Sequence, residues 1–274
     1  MNWGVESATV SFGSQIALDG VTLHAERGSV TVVIGGDGAG KSTCLRTLVG
    51  LIPLDSGTVN RPAKKEIGYV SATGGVYPDL TVDENLAFFG GSYGLKGSAF
   101  EKRHTDVLEM IGLRDFRERL AGQLSGGMQR KLAVGLALLH QPLLLVLDEP
   151  TTGLDPLSRA ELWRVISHTA AQGAAVVIST TYVNEAQRAS LVILLSGGRS
   201  IAEGSPSQII AAVPGKVGMV KSVKQPPGLA WRWGGVWHIW EPSKDIPEKA
   251  DPIEPDFDDA VIIAELAQEI GTAR

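Results

Sequence analysis

The stretch Gly35-Gly36-Asp37-Gly38-Ala39-Gly40-Lys41-Ser42-Thr43 limits the folds open to this chain more than any other. It reads G-x-x-x-x-G-K-[ST] from Gly35 to Ser42, and it stands between the β-branched run Val30 to Ile34 and a helix-like segment, Lys41 to Gly50. Strand, glycine loop and helix therefore follow one another as a phosphate cradle requires. Glycines keep side chains clear, so successive backbone N–H groups can converge on a polyphosphate at the positive end of the helix. Lys41 can reach the β- and γ-phosphates, and the Ser42 hydroxyl is placed to ligate Mg²⁺. The competing reading is a glycine-rich turn with an incidental lysine, and the flanking strand and helix weigh against it.

Upstream, Val5 to Phe12 and Val21 to Glu26 alternate as half-exposed strands do, with Gly13 and Asp19-Gly20 as turn signals. With Val30 to Ile34 they are expected to form a small antiparallel sheet. Phe12 is an aromatic that can stack on a base, although an isolated Phe at a strand end is more often simply packed. Downstream, Thr58-Val59 and Ile67 to Val70 read as short strands. Thr81-Val82-Asp83-Glu84 and Ser98-Ala99-Phe100-Glu101 both have the capping-box form of a helix start. Residues 81 to about 140 carry little strand signal and should be a helical block inserted into a sheet protein. Inside it, Leu124-Ser125-Gly126-Gly127-Met128-Gln129 precedes a helix-forming run. Ser125, Gly126 and Gly127 at a helix start make either an ordinary N-cap or a second anion site.

Leu143 to Leu147 is a continuous apolar run of strand length, expected to be buried on both faces and closed by Asp148-Glu149. Two carboxylates at the edge of a central strand, in a chain with a phosphate loop, divide the labour: Asp148 for the metal, Glu149 for the attacking water. Asp155-Pro156 then supplies an N-cap and first residue for a helix to about Ala171, stopped by Gly173. Ala174 to Ser179 is a further buried strand. Thr180-Thr181-Tyr182 should start a helix through Ala189, and Leu191 to Ala202 a hairpin around Gly197-Gly198. From Gly35 onward this alternation predicts an α/β fold with a mainly parallel sheet and ligands at its carboxyl edge.

After Pro214 the composition changes. Trp231 to Trp240 reads as a tryptophan-rich hairpin around Gly234-Gly235, Glu241 to Asp259 as an acidic, proline-punctuated linker, and Val261 to Ile270 as an amphipathic helix. Packing within a small subdomain is the expected use of those rings, with a docking surface second. The net charge of −5 offers no basic excess for nucleic acid. Cys44 is the only cysteine and is expected to be a packing residue. No apolar run is long enough to span a bilayer, so the expected location is cytoplasmic, with membrane association through a partner.

With the phosphate loop, the Leu-Ser-Gly-Gly-Met-Gln segment and the Leu-Leu-Val-Leu-Asp-Glu-Pro strand in this order, the chain resembles the nucleotide-binding subunit of an ATP-binding cassette (ABC) transporter. The resemblance covers about residues 3–213, with a helical subdomain near 75–140 and an appendage over 214–274. It implies ATP and Mg²⁺ as ligands, and a second cassette, as a homodimer or heterodimer, clamping ATP head to tail. Ser125, Gly126 and Gly127 would then serve the γ-phosphate of ATP held by the partner, and integral membrane subunits would receive the work. Phe12 would be the adenine-stacking aromatic, Ser42 and Asp148 the metal ligands, Glu149 the general base and Gly153-Leu154-Asp155 the loop crossing the interface. Thr151 to Trp163 resembles exporter-type cassettes of the multidrug and daunorubicin-resistance kind, and Pro255 to Ala260 resembles their tail.

Two positions depart from that pattern. The family's glutamine beside the metal and water is Ala72, and its histidine beside the γ-phosphate is Thr181. A methyl group ligates nothing, and Thr181 donates one hydrogen bond without charge. Losing such contacts costs a few kcal/mol, about a hundredfold in rate. The expectation is a cassette that binds ATP well, lends an intact signature to a partner and hydrolyses slowly. The alternative is a non-transport clamp that regulates a partner through ATP binding.

Overall fold

A computed structural model of the chain describes residues 3–221, 229–242 and 245–272. Its centre is a six-stranded sheet made of β3 (Val30–Ile34), β5 (Ile67–Val70), β6 (Leu144–Asp148), β7 (Ala175–Thr180), β8 (Leu191–Ser196) and β9 (Arg199–Gly204), in the order β5-β6-β7-β3-β8-β9. The first five run parallel and β9 returns antiparallel as the predicted hairpin. Alternate residues feed two separate cores, as the two-unit repeat of a strand requires. Leu145, Leu147, Val176 and Ile178 pack toward α4 (Gly126–Leu138) and α5 (Pro156–Ala171), whereas Leu144, Val146, Ala175 and Val177 pack toward α1 (Lys41–Val49). Burial on both faces explains why these strands read as continuous apolar runs.

A three-stranded antiparallel sheet of β1 (Trp3–Phe12), β2 (Gln15–Ala25) and β4 (Ser56–Asn60), in the order β2-β1-β4, covers the outer side of α1. The expected membership of Val30 to Ile34 in this sheet is corrected: β4 takes that place, and β3 pairs with β7 and β8. The apolar residues of β3 are buried at every position, which a sheet with one wet face would not reward.

The helical block is α2 (Val82–Ser92), α3 (Gly97–Ile111) and α4 around their own core. Thr81 and Glu84 form the predicted capping box. Ser98 does not cap: α3 begins at Gly97, whose φ of +54° turns the chain into the helix one residue early. The helix expected from Thr180 to Ala189 shrinks to α6 (Val183–Ala186).

The C-terminal region adds α7 (Pro206–Ala211) and a second antiparallel sheet. That sheet comprises β10 (Lys216–Val220), β11 (Leu229–Trp233), β12 (Val236–Glu241) and β13 (Asp251–Ile253), and is backed by α8 (Phe257–Thr272). Gly234 makes the predicted hairpin turn, Trp240 is buried and Trp233 is exposed. The linker expectation is corrected too. Residues 251–253 form an edge strand and Phe257 and Asp259 are buried, although Ser243 and Lys244 of that segment lie outside the described residues. Pro252 is tolerated because β13 is at the sheet edge. Among the described residues no helix is long and apolar enough to cross a membrane.

Candidate nucleotide site

The carboxyl edge of the central sheet gathers four of the predicted residues. β3 delivers the chain into the loop Gly35 to Gly40, and α1 begins at Lys41. Gly40 has φ +102°, and a Cβ there would lie 2.6 Å from Ala17 O, so only glycine fits between the loop and β2. Around Gly36 and Gly38 a Cβ would meet nothing within 4 Å, which leaves the backbone of the loop open to a ligand. Asp37 is exposed, and Ala39 and Thr43 stay with the loop and the first turn of α1.

Lys41 is 4% exposed. Its Nζ donates to Gly35 O at 2.9 Å and Gly36 O at 3.0 Å, and stands 3.4 Å from Glu149 Oε1. Ser42 Oγ donates to Asp148 Oδ1 at 3.0 Å. The same oxygen accepts from Ser179 Oγ at 2.6 Å, and Ser179 Oγ in turn accepts from the Glu149 N–H at 2.9 Å. Asp148 is fully buried, and its second oxygen, Oδ2, has no hydrogen-bond partner. A carboxylate oxygen buried without a donor is expensive, so the arrangement fits a cation or its bound water at that point. Glu149 has φ +47°, a strained position for a residue with a Cβ, and such strain gathers at functional sites. Thr152 Oγ1 donates to its Oε2 at 3.3 Å.

The other predicted residues stand apart from this quartet. Phe12 ends β1 opposite Gln15, 54% exposed. Ser125 caps α4, its Oγ accepting from Met128 N at 3.3 Å. Ser125 and Gly126 are exposed, and a Cβ on Gly127 would meet Ser158 Oγ of α5 at 2.8 Å rather than the phosphate loop. Thr181 is exposed just beyond β7, and Ala72 lies in a tight turn after β5. Asp155 caps α5 as predicted, accepting from Leu157 N and Ser158 N at 3.0 Å each. Cys44 is wholly buried, and burial pushes its thiol up to about 12, which keeps it inert as a nucleophile.

Sequence reading missed a second buried carboxylate. Glu185 Oε2 accepts from Thr151 Oγ1 at 2.9 Å and Thr180 Oγ1 at 2.7 Å, so one side chain ties the segment after Glu149 to the segment before Thr181. Nothing in the spacing announces this, because the pairing depends on β6 lying beside β7. Ser179 was legible only as a strand end; its place opposite Asp148 is a matter of register.

The family model for the ABC transporter matches residues 18–152. The probable multidrug ABC transporter ATP-binding protein YbhF of Escherichia coli (strain K12) is 38% identical over 205 residues, covering 71% of this chain and 35% of that protein. The Nod factor export ATP-binding protein I of Ralstonia nicotianae is 35% identical over 217 residues, covering 75% of this chain and 68% of that protein. The chain belongs to the ABC transporter ATP-binding proteins. It spans about a third of the length of YbhF. A solved ATP-binding subunit of an ABC transporter superposes with a TM-score of 0.70 at 28% identity, over 77% of this chain and 92% of that one. The cbiO1 protein of Clostridium perfringens, described as part of the ABC transporter complex cbiONQ, gives 0.68 at 26% identity, over 77% and 90%. The fold is that of the ABC ATPase cassette, and the residues matched by the family model include the phosphate loop, the Ser125 turn and the Asp148-Glu149 strand end.

Proposed function

We propose that the chain is the ATP-binding and ATP-hydrolysing subunit of an ABC exporter, working at the cytoplasmic face through separate membrane-embedded subunits. The observation that carries this reading is the quartet Lys41, Ser42, Asp148 and Glu149 at one sheet edge, with Asp148 Oδ2 buried and unpartnered. Ser42 Oγ and Asp148 are the residues that would hold Mg²⁺, which when bound neutralises phosphate charge. Lys41 exchanges its two loop carbonyls and Glu149 for the β- and γ-phosphates. The Glu149 carboxylate, released from that ion pair, accepts a proton from the attacking water. Loop amides from Gly36 to Ser42 orient the triphosphate and share its charge with Lys41.

A second cassette completes the site. Ser125 and Gly126 are exposed at the start of α4 and Gly127 is half-buried against Ser158 of α5, an arrangement suited to a nucleotide held by another copy or a related chain. Phe12, exposed at the end of β1, is available to stack on adenine. Hydrolysis is slow because Ala72 and Thr181 stand where two polar transition-state contacts would be. The resemblance to multidrug and Nod-factor export proteins supports the exporter direction.

Single-turnover ATPase measurement on the purified chain tests the reading. A slow, Mg²⁺-dependent rate that Glu149→Gln abolishes supports it. A rate as fast as that of a fully equipped cassette, still abolished by Glu149→Gln, refutes the slow-site part and leaves the ATPase part standing. The second reading is a regulatory clamp outside transport, favoured by an alanine at position 72, where the family resemblance implies a glutamine that couples to membrane subunits. Co-purification from detergent with a polytopic membrane protein separates the two readings, because the clamp reading requires none.

A further inference from the structure

Helix α4 is fastened on two sides. Ala133, Val134, Ala137 and Leu138 belong to the core against the central sheet, whereas Leu132, Leu136 and Leu139 belong to the core of the helical block. Its N-terminus carries the Ser125-Gly126-Gly127 corner, exposed at Ser125 and Gly126. One turn beyond Gly126 stands Arg130, half-buried, with a guanidinium that donates to Ser71 O at 3.3 Å and to Ala72 O at 2.9 Å. Ser71 O also accepts from the Gly74 N–H at 2.9 Å, and Ser71 Oγ donates to Gly74 O at 2.7 Å. The 71–74 turn is thus closed on itself and tied to α4 through two of its own carbonyls. No side chain at position 72 takes part, since the residue is alanine.

Burial pulls the Arg130 guanidinium down from its usual range, and the charges of Asp148 and Glu149 oppose that shift. Those carboxylates are therefore near enough for their field to be felt, although neither forms an ion pair with Arg130. Arg130 thus joins the turn carrying Ala72 to the helix whose tip is Ser125.

We infer that Arg130 is a positioning residue, which holds the 71–74 turn against α4 by its backbone as a fixed tether. Planar and bidentate donation suits guanidinium better than ammonium, because two adjacent carbonyls are engaged at once. The turn and the Ser125 corner then move as one body, which links the chain's own nucleotide site to the corner it offers to a partner. The consequence for turnover rests on the ATPase reading above; the tether itself does not.

The test is therefore begun without nucleotide, by hydrogen exchange on the full chain with Arg130→Met and Arg130→Lys. In Arg130→Met the Gly74 amide is expected to exchange roughly tenfold faster while amides of β6 and the rest of α4 keep their protection. Arg130→Lys is expected to fall between, because one ammonium satisfies one carbonyl well. In single turnover, Arg130→Met is expected to slow the chemical step severalfold with ATP affinity within about twofold, since the Lys41 cradle is untouched. Unchanged Gly74 protection in Arg130→Met would overturn the tether, and so would loss of protection spread through α4, which would make Arg130 an ordinary packing residue. Failure of the wild-type chain to bind ATP would sink the functional reading and leave the exchange result to decide the tether alone.

Discussion

Lys41, Ser42, Asp148 and Glu149 stand at or just beyond the ends of β3 and β6, strands buried along their whole length, and each has a protein partner within the quartet or beside it. Phe12, Ala72, Ser125 and Thr181 stand at a hairpin end, in a turn, ahead of a helix and after a strand. No hydrogen bond or ion pair among the described residues joins them to the first group. The first group is held by a frame that cannot shift without opening two cores. The second lies outside that frame, and of its members Ala72 is held across the fold by Arg130. Substitution in the second group is therefore cheaper for stability than in the first. On the proposed function, that difference separates affinity, set by the rigid group, from rate, set by the second group.

Lys41→Ala strikes the rigid group hardest. Removing the only buried ammonium at the loop is expected to weaken ATP binding on the order of a thousandfold, about 4 kcal/mol. Titration with a fluorescent ATP analogue measures it. A variant that bound within threefold of the wild type would mean the loop amides alone grip the nucleotide, and the division between rigid and exposed groups would fail at its first step. Glu149→Gln comes next. It keeps the shape and the Thr152 contact, so affinity should persist while the single-turnover rate falls roughly a hundredfold. Equal rates would move the proton acceptor elsewhere.

The second group is probed by adding polar side chains at positions 72 and 181. Thr181→His together with Ala72→Gln is expected to raise the single-turnover rate by roughly tenfold or more with little change in affinity. An increase in affinity without an increase in rate would erase the distinction drawn above. Thr181 is the more informative of the two, because Glu185 clamps Thr180 Oγ1 and so fixes the backbone from which residue 181 projects. Position 72 has no such anchor of its own and relies on Arg130.

How much of this could be read from the chain follows the same division. The phosphate loop, β6 with its two carboxylates, the Asp155 cap and the Gly173 stop were legible, since each depends on neighbours in sequence: a glycine, a β-branched run, a proline at the first helical position. β3 was legible as a strand but not by partner, because pairing with β7 and β8 is a tertiary choice made by burial on both faces. Ser98 carried a correct local signal that Gly97 overrode. The 241–259 segment looked like solvent-exposed linker because prolines and acids dominate it, yet an edge strand accepts Pro252 and a buried Asp259 finds Trp231 Nε1 at 3.1 Å and His238 Nδ1 at 2.7 Å. Ser179, Glu185 and Arg130 were invisible as parts of the site, for all three act across elements that only the fold brings together.

The smallest expected effect concerns Asp155, the cap of α5. The Ser158 hydroxyl, then the backbone N–H groups of Ser158 and Leu157, hold its carboxyl below the ordinary carboxylate range. A carboxylate depressed in the folded state adds stability that is fully present above its unfolded pKa of about 3.9 and is lost as pH falls through the lower folded value. Thermal melts of the wild type and Asp155→Ala should therefore differ by a constant amount from about pH 5 to pH 8 and converge in stronger acid. Asp155→Asn keeps the capping geometry without charge and should lie nearer the wild type, with a difference that also closes in acid. If the gap between wild type and Asp155→Ala instead widened on acidification, the ionised cap would not be the source of the stability. That cap would then have to be grouped with the rigid half of the site rather than with the exposed one.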